Sequence, residues 1–206
     1  MGASSGIGKL VLEEAVARDH TVRAMSRGID PDATRPGVEP FRGDALVPGD
    51  VARAVDGVDA VVQALGIRET PGNLLREVTL FSRATQVLIP AMQAAGVSRV
   101  IAVTGFGAGE SRAAMSRVER LGHDLLLGRV YADKTRQEGL LKDSALDWTI
   151  VRPTILTNGA RSGTYQVLSE PERWRNGMIA RADVAAFVVD ALEQGAHPRG
   201  EVVLTR

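Results

Sequence analysis

The sequence predicts an α/β fold, a doubly wound parallel sheet with helices on both faces. Three observations carry this. Strand-like and helix-like segments alternate along the 206 residues. The runs "VDAVVQALG" (58–66) and "SRVIAVTG" (98–105) are continuously apolar, as in strands buried on both faces. A glycine-rich loop, "MGASSGIGK", leads straight into a helix.

The elements follow in order. Residues 6–18 read as a helix with an apolar stripe at Ile7, Leu10, Val11 and Ala15. "HTVRAM" (20–25) and "GVEPFRGD" (37–44) are short strands, the second followed by a helix over about 48–56. After the strand at 58–66, a long helix is expected over about 73–95, with Gly96 suited to its end. The strand at 98–105 precedes two helical stretches, 111–127 and 130–143. "DWTIVRP" (147–153) is a strand, "GTYQVLS" (163–169) an extended piece, 181–195 an amphipathic helix and "EVVLT" (201–205) a closing strand. No repeat or linker interrupts the chain, so residues 1–206 read as one domain. The stretch 154–180, rich in Gly, Arg and turn residues, is expected to form a small substrate-side lobe.

Composition narrows the function. Lys+Arg and Asp+Glu both total 25, so no global field draws the chain to nucleic acid or an anionic membrane. No run of about 18 apolar residues and no secretory leader appears, and cysteine is absent. A soluble, cytoplasmic protein without disulfide or thiolate chemistry is expected. The three histidines, His20, His123 and His197, show no metal-ligand spacing with the carboxylates, so no metal is expected.

The loop places Gly2, Gly6 and Gly8 in a G-x-x-x-G-x-G pattern, with Ser4, Ser5 and Ile7 between them. Glycines let backbone turn tightly and approach a pyrophosphate, which then rests on the open N–H groups of the helix that follows. A bare helix-capping turn is the alternative, and the strand that follows the helix favours the dinucleotide. That strand ends in Ser26 and Arg27, where an NAD site normally offers Asp or Glu to the ribose 2′-OH. A guanidinium there suits a 2′-phosphate, so NADP(H) is the expected cofactor and Arg27 its determinant, unless Arg27 is merely solvated. Asp44 and Ala45 follow a strand within reach of the adenine, although a cap for the helix near 48 explains Asp44 as well. Ala64, Leu65 and Gly66 end the next strand and let backbone approach the adenosine ribose.

These motifs resemble the atypical short-chain dehydrogenase/reductase family, and within it the NAD(P)H-binding, NmrA-like group that includes the biliverdin-IXβ/flavin reductases. "GASSGIGKLVLEEAVARDHTVRAMSR", "GDALVPGDVARAVDGVDAVV", "SRVIAVTGFG", "YADKTRQEGLLKDSALDWTIVRPTILTNGARSGTYQV" and "IARADVAAFVVDAL" carry the resemblance and keep the family's order. It implies a Rossmann fold and NADPH-dependent hydride transfer to a small carbonyl, quinone or flavin-like acceptor. A cofactor-binding sensor without turnover, or an isomerase or tailoring enzyme on the same scaffold, are its alternatives. The group's habit implies a monomer, with a dimer as the alternative.

The catalytic positions depart from the standard pattern. Short-chain dehydrogenases pair Tyr-x-x-x-Lys with a Ser after the fifth strand. Here Tyr131 precedes Lys134 by three residues, position 135 is Thr, and Gly105 stands where the similar reductases carry Ser. Those reductases present a D-H-x-R pattern, and this chain has "DKTR", which puts Lys134 on the functional position. Lys134 is therefore expected to touch the nicotinamide ribose or the substrate. Thr104 either replaces the lost hydroxyl or simply ends its strand. Tyr131 is either a proton donor or a half-buried structural residue. Pro153 and Thr154 are expected to wall the nicotinamide, and Phe106, Arg161, Tyr165 and Trp174 to line a substrate pocket, Trp174 alternatively being a packed lid residue.

One expectation concerns the start of the loop. The strand that normally precedes such a loop lies centrally, between the strands at 20–25 and 58–66, and only Met1 stands in its place. The sequence predicts that an apolar segment upstream completes the sheet, or that another segment fills the gap.

Overall fold

A computed structural model describes residues 1–67 and 78–206. Helix α1 spans Gly6–Ala17, followed by strands β1 (Val22–Ser26) and β2 (Val38–Arg42). Helix α2 (Pro48–Val55) leads to β3 (Ala60–Gln63), and α3 (Leu80–Ala95) to β4 (Arg99–Val103). A 3₁₀ turn at Gly109–Ala114 precedes the long α4 (Arg117–Lys142) and β5 (Asp147–Pro153). The chain ends with β6 (Ile155–Thr157), β7 (Gln166–Leu168), a 3₁₀ turn at Pro171–Arg173, β8 (Met178–Ala180), α5 (Arg181–Glu193) and β9 (Gly200–Thr205).

The main sheet runs β3-β4-β5-β9-β7, with β7 antiparallel to β9 and every other pair parallel. β1 and β2 form a parallel pair of their own, as do β6 and β8. One layer buries Val11 and Ala15 of α1 and Val184 and Val188 of α5 against Ile101, Val151 and Val202. The other buries Val51 and Val55 of α2, Leu88 and Met92 of α3 and Leu141 of α4 against Val61, Val100 and Ile150. Helices therefore cover both faces, the doubly wound arrangement expected.

Two expectations are corrected. The stretches 111–127 and 130–143 are one helix after a 3₁₀ turn. Ser116 and Glu119 form a reciprocal capping box that starts α4, and Gly128 sits inside it without breaking it. The strands β6 and β8, three residues each, were not anticipated. The expected helix start at 73–77 lies outside the described residues.

Between β1 and β3 the sheet is joined by the short stretch Met1–Gly2. The Met1 ammonium donates to the Val62 carbonyl at 2.7 Å, and Ala64 N–H donates to the Met1 carbonyl at 3.1 Å. On the other side, Gly2 N–H donates to the Met25 carbonyl at 3.0 Å. This is the bonding of a strand end parallel to both neighbours. Below it runs a groove of about 570 Å³, lined by Val22 and Met25 from β1, Val61 and Val62 around β3, Leu12 and Ala15 from α1, and Val55 from α2. Met1 thus takes the place assigned to it from the sequence.

Candidate functional site

The carboxyl ends of the parallel strands bring the loops after β1, β3, β4 and β5 beside the glycine loop. In open α/β sheets this edge is where ligands bind. Gly2 has φ +87°, and a side chain on it would run into the Ala64 carbonyl, so the turn closes directly on the end of β3. Gly8 is buried, while Ser4, Ser5 and Gly6 are exposed at the start of α1. No side chain caps α1 and no acidic residue stands in its first turn. Its first N–H groups are therefore open to an anion.

Ser26 and Arg27 end β1. The Ser26 hydroxyl is buried without a hydrogen-bond partner, and Arg27 is exposed. Asp44 accepts from Leu46 N–H at 3.0 Å in a local turn, and the N-cap of α2 is Val47, so Asp44 is not that helix's cap. Ala45 is buried behind it. Beyond β3, Ala64 pairs with Met1, Leu65 packs near Phe81 and Tyr131, and Gly66 is exposed.

The residues on α4 converge on the end of β4. Lys134 Nζ donates to the Thr104 carbonyl at 2.5 Å and lies 5.2 Å from the ring centroids of both Phe81 and Tyr131. A spacing of three residues therefore still places the lysine cation over the tyrosine ring. Thr135, at the standard lysine position, instead donates to the Tyr131 carbonyl and accepts from Gly109 N–H. The Tyr131 hydroxyl explains the missing serine. A Cβ at Gly105 would stand 2.6 Å from that oxygen, so the phenol fills the space that a serine side chain there would use. His123 packs edge-on against Tyr131 with centroids 4.1 Å apart, and its Nε2 would stand 2.7 Å from a Cβ at Gly107. Burial pushes the His123 imidazole below its ordinary pKa, outweighing the Asp124 carboxylate 3.7 Å away.

Other expected residues are placed differently. The Thr104 hydroxyl donates to Glu138 at 2.7 Å, inside the core, and only its carbonyl serves Lys134. Pro153 and Thr154 are buried, Pro153 accepting from Phe106 N–H at 2.9 Å. Phe106 and Trp174 belong to a buried cluster with Met115, Leu168 and Val203. Trp174 donates to the Leu168 carbonyl and carries the Arg152 guanidinium 4.9 Å from its ring, which is the packed-residue alternative. Arg161 pairs with Glu14 of α1 at 2.8 Å, and Tyr165 packs edge-on against Phe187. The structure thus gathers Thr104, Tyr131 and Lys134, and sets Phe106, Arg161, Tyr165 and Trp174 in other surroundings. Among the described residues no group of three or more His, Asp or Glu side chains is arranged to hold a metal, and no helix is long and apolar enough to cross a membrane.

Sequence reasoning missed what holds this site. Buried Asp133 accepts from Phe81 N–H at 2.8 Å, Ser82 N–H at 3.3 Å and the Ser82 hydroxyl, tying α4 to the start of α3. Arg152, fully buried, forms two bonds to Glu138, at 2.8 and 3.0 Å, and an ion pair with Glu201. An arginine inside the apolar run "DWTIVRP" was the available signal, because a buried guanidinium requires carboxylate partners.

Comparisons with known proteins bear on the family and the fold. Residues 2–195 match the NAD(P)H-binding family. The chain is 29% identical to an uncharacterized sugar epimerase, YhfK, of Bacillus subtilis, covering 94% of this chain and 86% of that one. It resembles the structure of ChuY from Escherichia coli O157:H7, described as an anaerobilin reductase, at 29% identity and a TM-score of 0.82, covering 99% and 94% of the two chains. A short-chain dehydrogenase/reductase from Veillonella parvula in complex with NADP shares the fold at 20% identity, with a TM-score of 0.82 and coverage of 100% and 92%. The open helix start, the loop closed on β3 and the match over residues 2–195 lead to one conclusion: the chain belongs to the NAD(P)H-binding family.

Proposed function

We propose that the protein is an NADPH-dependent reductase of a small carbonyl, quinone or flavin-like acceptor. The observation that carries this is the meeting of Lys134, the Thr104 carbonyl and the Tyr131 hydroxyl at the end of β4, beside the dinucleotide loop. The dinucleotide fits the residues present. The start of α1 offers uncapped N–H groups to a pyrophosphate, and the Gly2 turn leaves no side chain in the way. Ser26 and Arg27 stand at the adenosine end, with Asp44, Ala45 and Ala64–Gly66 beside them. When bound, the cofactor supplies a hydride from its nicotinamide.

The chain's own residues would do the remainder. Lys134 binds on the nicotinamide side, where its ammonium is held by the Thr104 carbonyl. Tyr131 holds a proton at its hydroxyl oxygen and delivers it to the acceptor, with the Lys134 cation beside its ring. Asp133 fixes the angle of α4, and Pro153 closes the wall. ChuY, described as a reductase and 29% identical over nearly the whole chain, supports this reading.

A second reading is an epimerase or isomerase, favoured by the name of the Bacillus subtilis relative. There the cofactor would stay bound and return to its starting state. NADPH oxidation followed against quinones, flavins and aldehydes separates the two. Acceptor-dependent loss of NADPH supports the reductase. Tight NADPH binding without net oxidation, whatever the acceptor, overturns it.

A further inference from the structure

We propose that Arg42, at the end of β2, is a second determinant of cofactor choice and joins Ser26 and Arg27 in holding the adenosine 2′-phosphate. This rests on the NADP(H) reading above and adds a residue that the motif around Arg27 does not point to.

The placement follows from register. β1 and β2 are parallel, with Ser26 opposite Arg42 and Ala24 opposite Pro40. Opposed residues in a sheet project to the same face, and alternate residues share it. Ala24 packs with Ala3 and Leu12 of α1, whereas Met25 and Phe41 pack on the opposite side, toward α2 and α3. Ser26 and Arg42 therefore project toward the face on which the glycine loop enters α1. The two strands stand about 4.8 Å apart, so Arg42 is a direct neighbour of the β1 tip.

The charges around it are unbalanced. Three residues earlier, on the opposite face, the same strand pair sets Arg23 opposite Glu39, and those two form an ion pair at 3.0 Å. That is how a cation is neutralised on this ribbon for structural purposes. At the carboxyl end no such arrangement exists. Among the described residues, neither Arg27 nor Arg42 has an acidic partner, and both are exposed. The nearby carboxylates are otherwise engaged. Asp44 accepts from Leu46 N–H, and Asp50 accepts from Asp44 N–H and pairs with Arg53 at 2.7 Å. The hydroxyl of Ser26, which pairs with Arg42 across the strands and precedes Arg27 in the chain, is buried and also without a partner. Two like charges and an unused hydroxyl at one sheet edge repel and leave a polar group unpaired unless an anion sits among them. A phosphate monoester supplies both the charge and the acceptor oxygens, and an arginine pair can hold it through parallel N–H bonds.

The test is binding of NADPH, NADH, 2′,5′-ADP and 5′-AMP to the wild-type chain, Arg42→Ala, Arg42→Lys and Arg27→Ala, by calorimetry at two salt concentrations. The expected result is that Arg42→Ala weakens NADPH and 2′,5′-ADP about 10- to 100-fold, leaves NADH and 5′-AMP within about twofold, and lowers the salt dependence of NADPH binding. Arg42→Lys should recover part of the loss. If Arg42→Ala binds NADPH as the wild type does while Arg27→Ala does not, the role of Arg42 is overturned and the NADP(H) reading stands. If Arg42→Ala weakens NADPH and NADH equally, Arg42 supports the fold and not the phosphate. A wild-type chain with no preference for NADPH overturns both.

Discussion

Joining five extended apolar residues ahead of Met1 should stabilise the protein by about 3–6 kcal/mol. The groove between β1 and β3 holds about 570 Å³ and is walled by Val22, Met25, Val61 and Val55, so apolar side chains have somewhere to go. Four buried Val or Leu side chains contribute roughly 1.5–3 kcal/mol each, which is about offset by ordering five residues at roughly 1–2 kcal/mol of backbone entropy apiece plus their side chains. The ladder bonds to two strand edges, at about 1 kcal/mol net each, then tip the balance. The extension also removes a buried charge. Burial lowers the Met1 ammonium from 8.0 to about 6. Below pH 6 both states carry that charge and the folded state bears its full cost, about 3 kcal/mol. Between pH 6 and 8 the folded amine is neutral while the unfolded one keeps its proton, so stability rises with pH. Above 8 nothing further is gained. Thermal melts at pH 6 and 8.5 should show the extended chain melting roughly 10 °C or more higher, since each kcal/mol is worth about 2–4 °C at this size. The advantage should be larger at pH 6. Equal melting temperatures, or pH profiles that run parallel, refute the reasoning.

Two further perturbations test the architecture of the site. Gly105→Ser should displace the Tyr131 ring, whose hydroxyl stands 2.6 Å from where the new Cβ must go, and cost about 1–3 kcal/mol in chemical denaturation. Removing that hydroxyl with Tyr131→Phe in the same chain should restore part of the loss, and strict additivity of the two changes contradicts the shared space. Glu138→Gln should cost about 3–5 kcal/mol, because it leaves the fully buried Arg152 guanidinium short of a counter-charge. A loss under about 1 kcal/mol shows that Glu201 alone suffices.

What could be read from the sequence was local. The glycine loop, the Gly96 end of α3, which has φ +72°, and the strands 98–105 and 147–153 all announce themselves within a few residues. The joint between β1 and β3 was legible too, because a loop of this kind implies a strand before it. The supports of the site were not legible, since they join residues far apart. Asp133 meets the start of α3 across 52 positions, and Thr104 meets Glu138 across 34. The same distance hid the surroundings of the expected pocket residues. Phe106 and Trp174 look available as isolated aromatics, yet they pack on Leu168 and Val203 from other strands. Tyr131 and Lys134 were legible as candidates, but not that their three-residue spacing still stacks the cation over the ring, nor that Gly105 exists to admit the phenol.

The central claim is that this family member turns over NADPH through Lys134 and Tyr131. The direct measurement is NADPH oxidation, with acceptor reduction followed in parallel, in the wild type, Lys134→Ala and Tyr131→Phe. The account predicts one acceptor molecule reduced per NADPH in the wild type, and at least about a hundredfold loss of turnover in both variants with the fold intact. Wild-type turnover retained by both variants, or NADPH bound tightly and never oxidised by any acceptor, contradicts it.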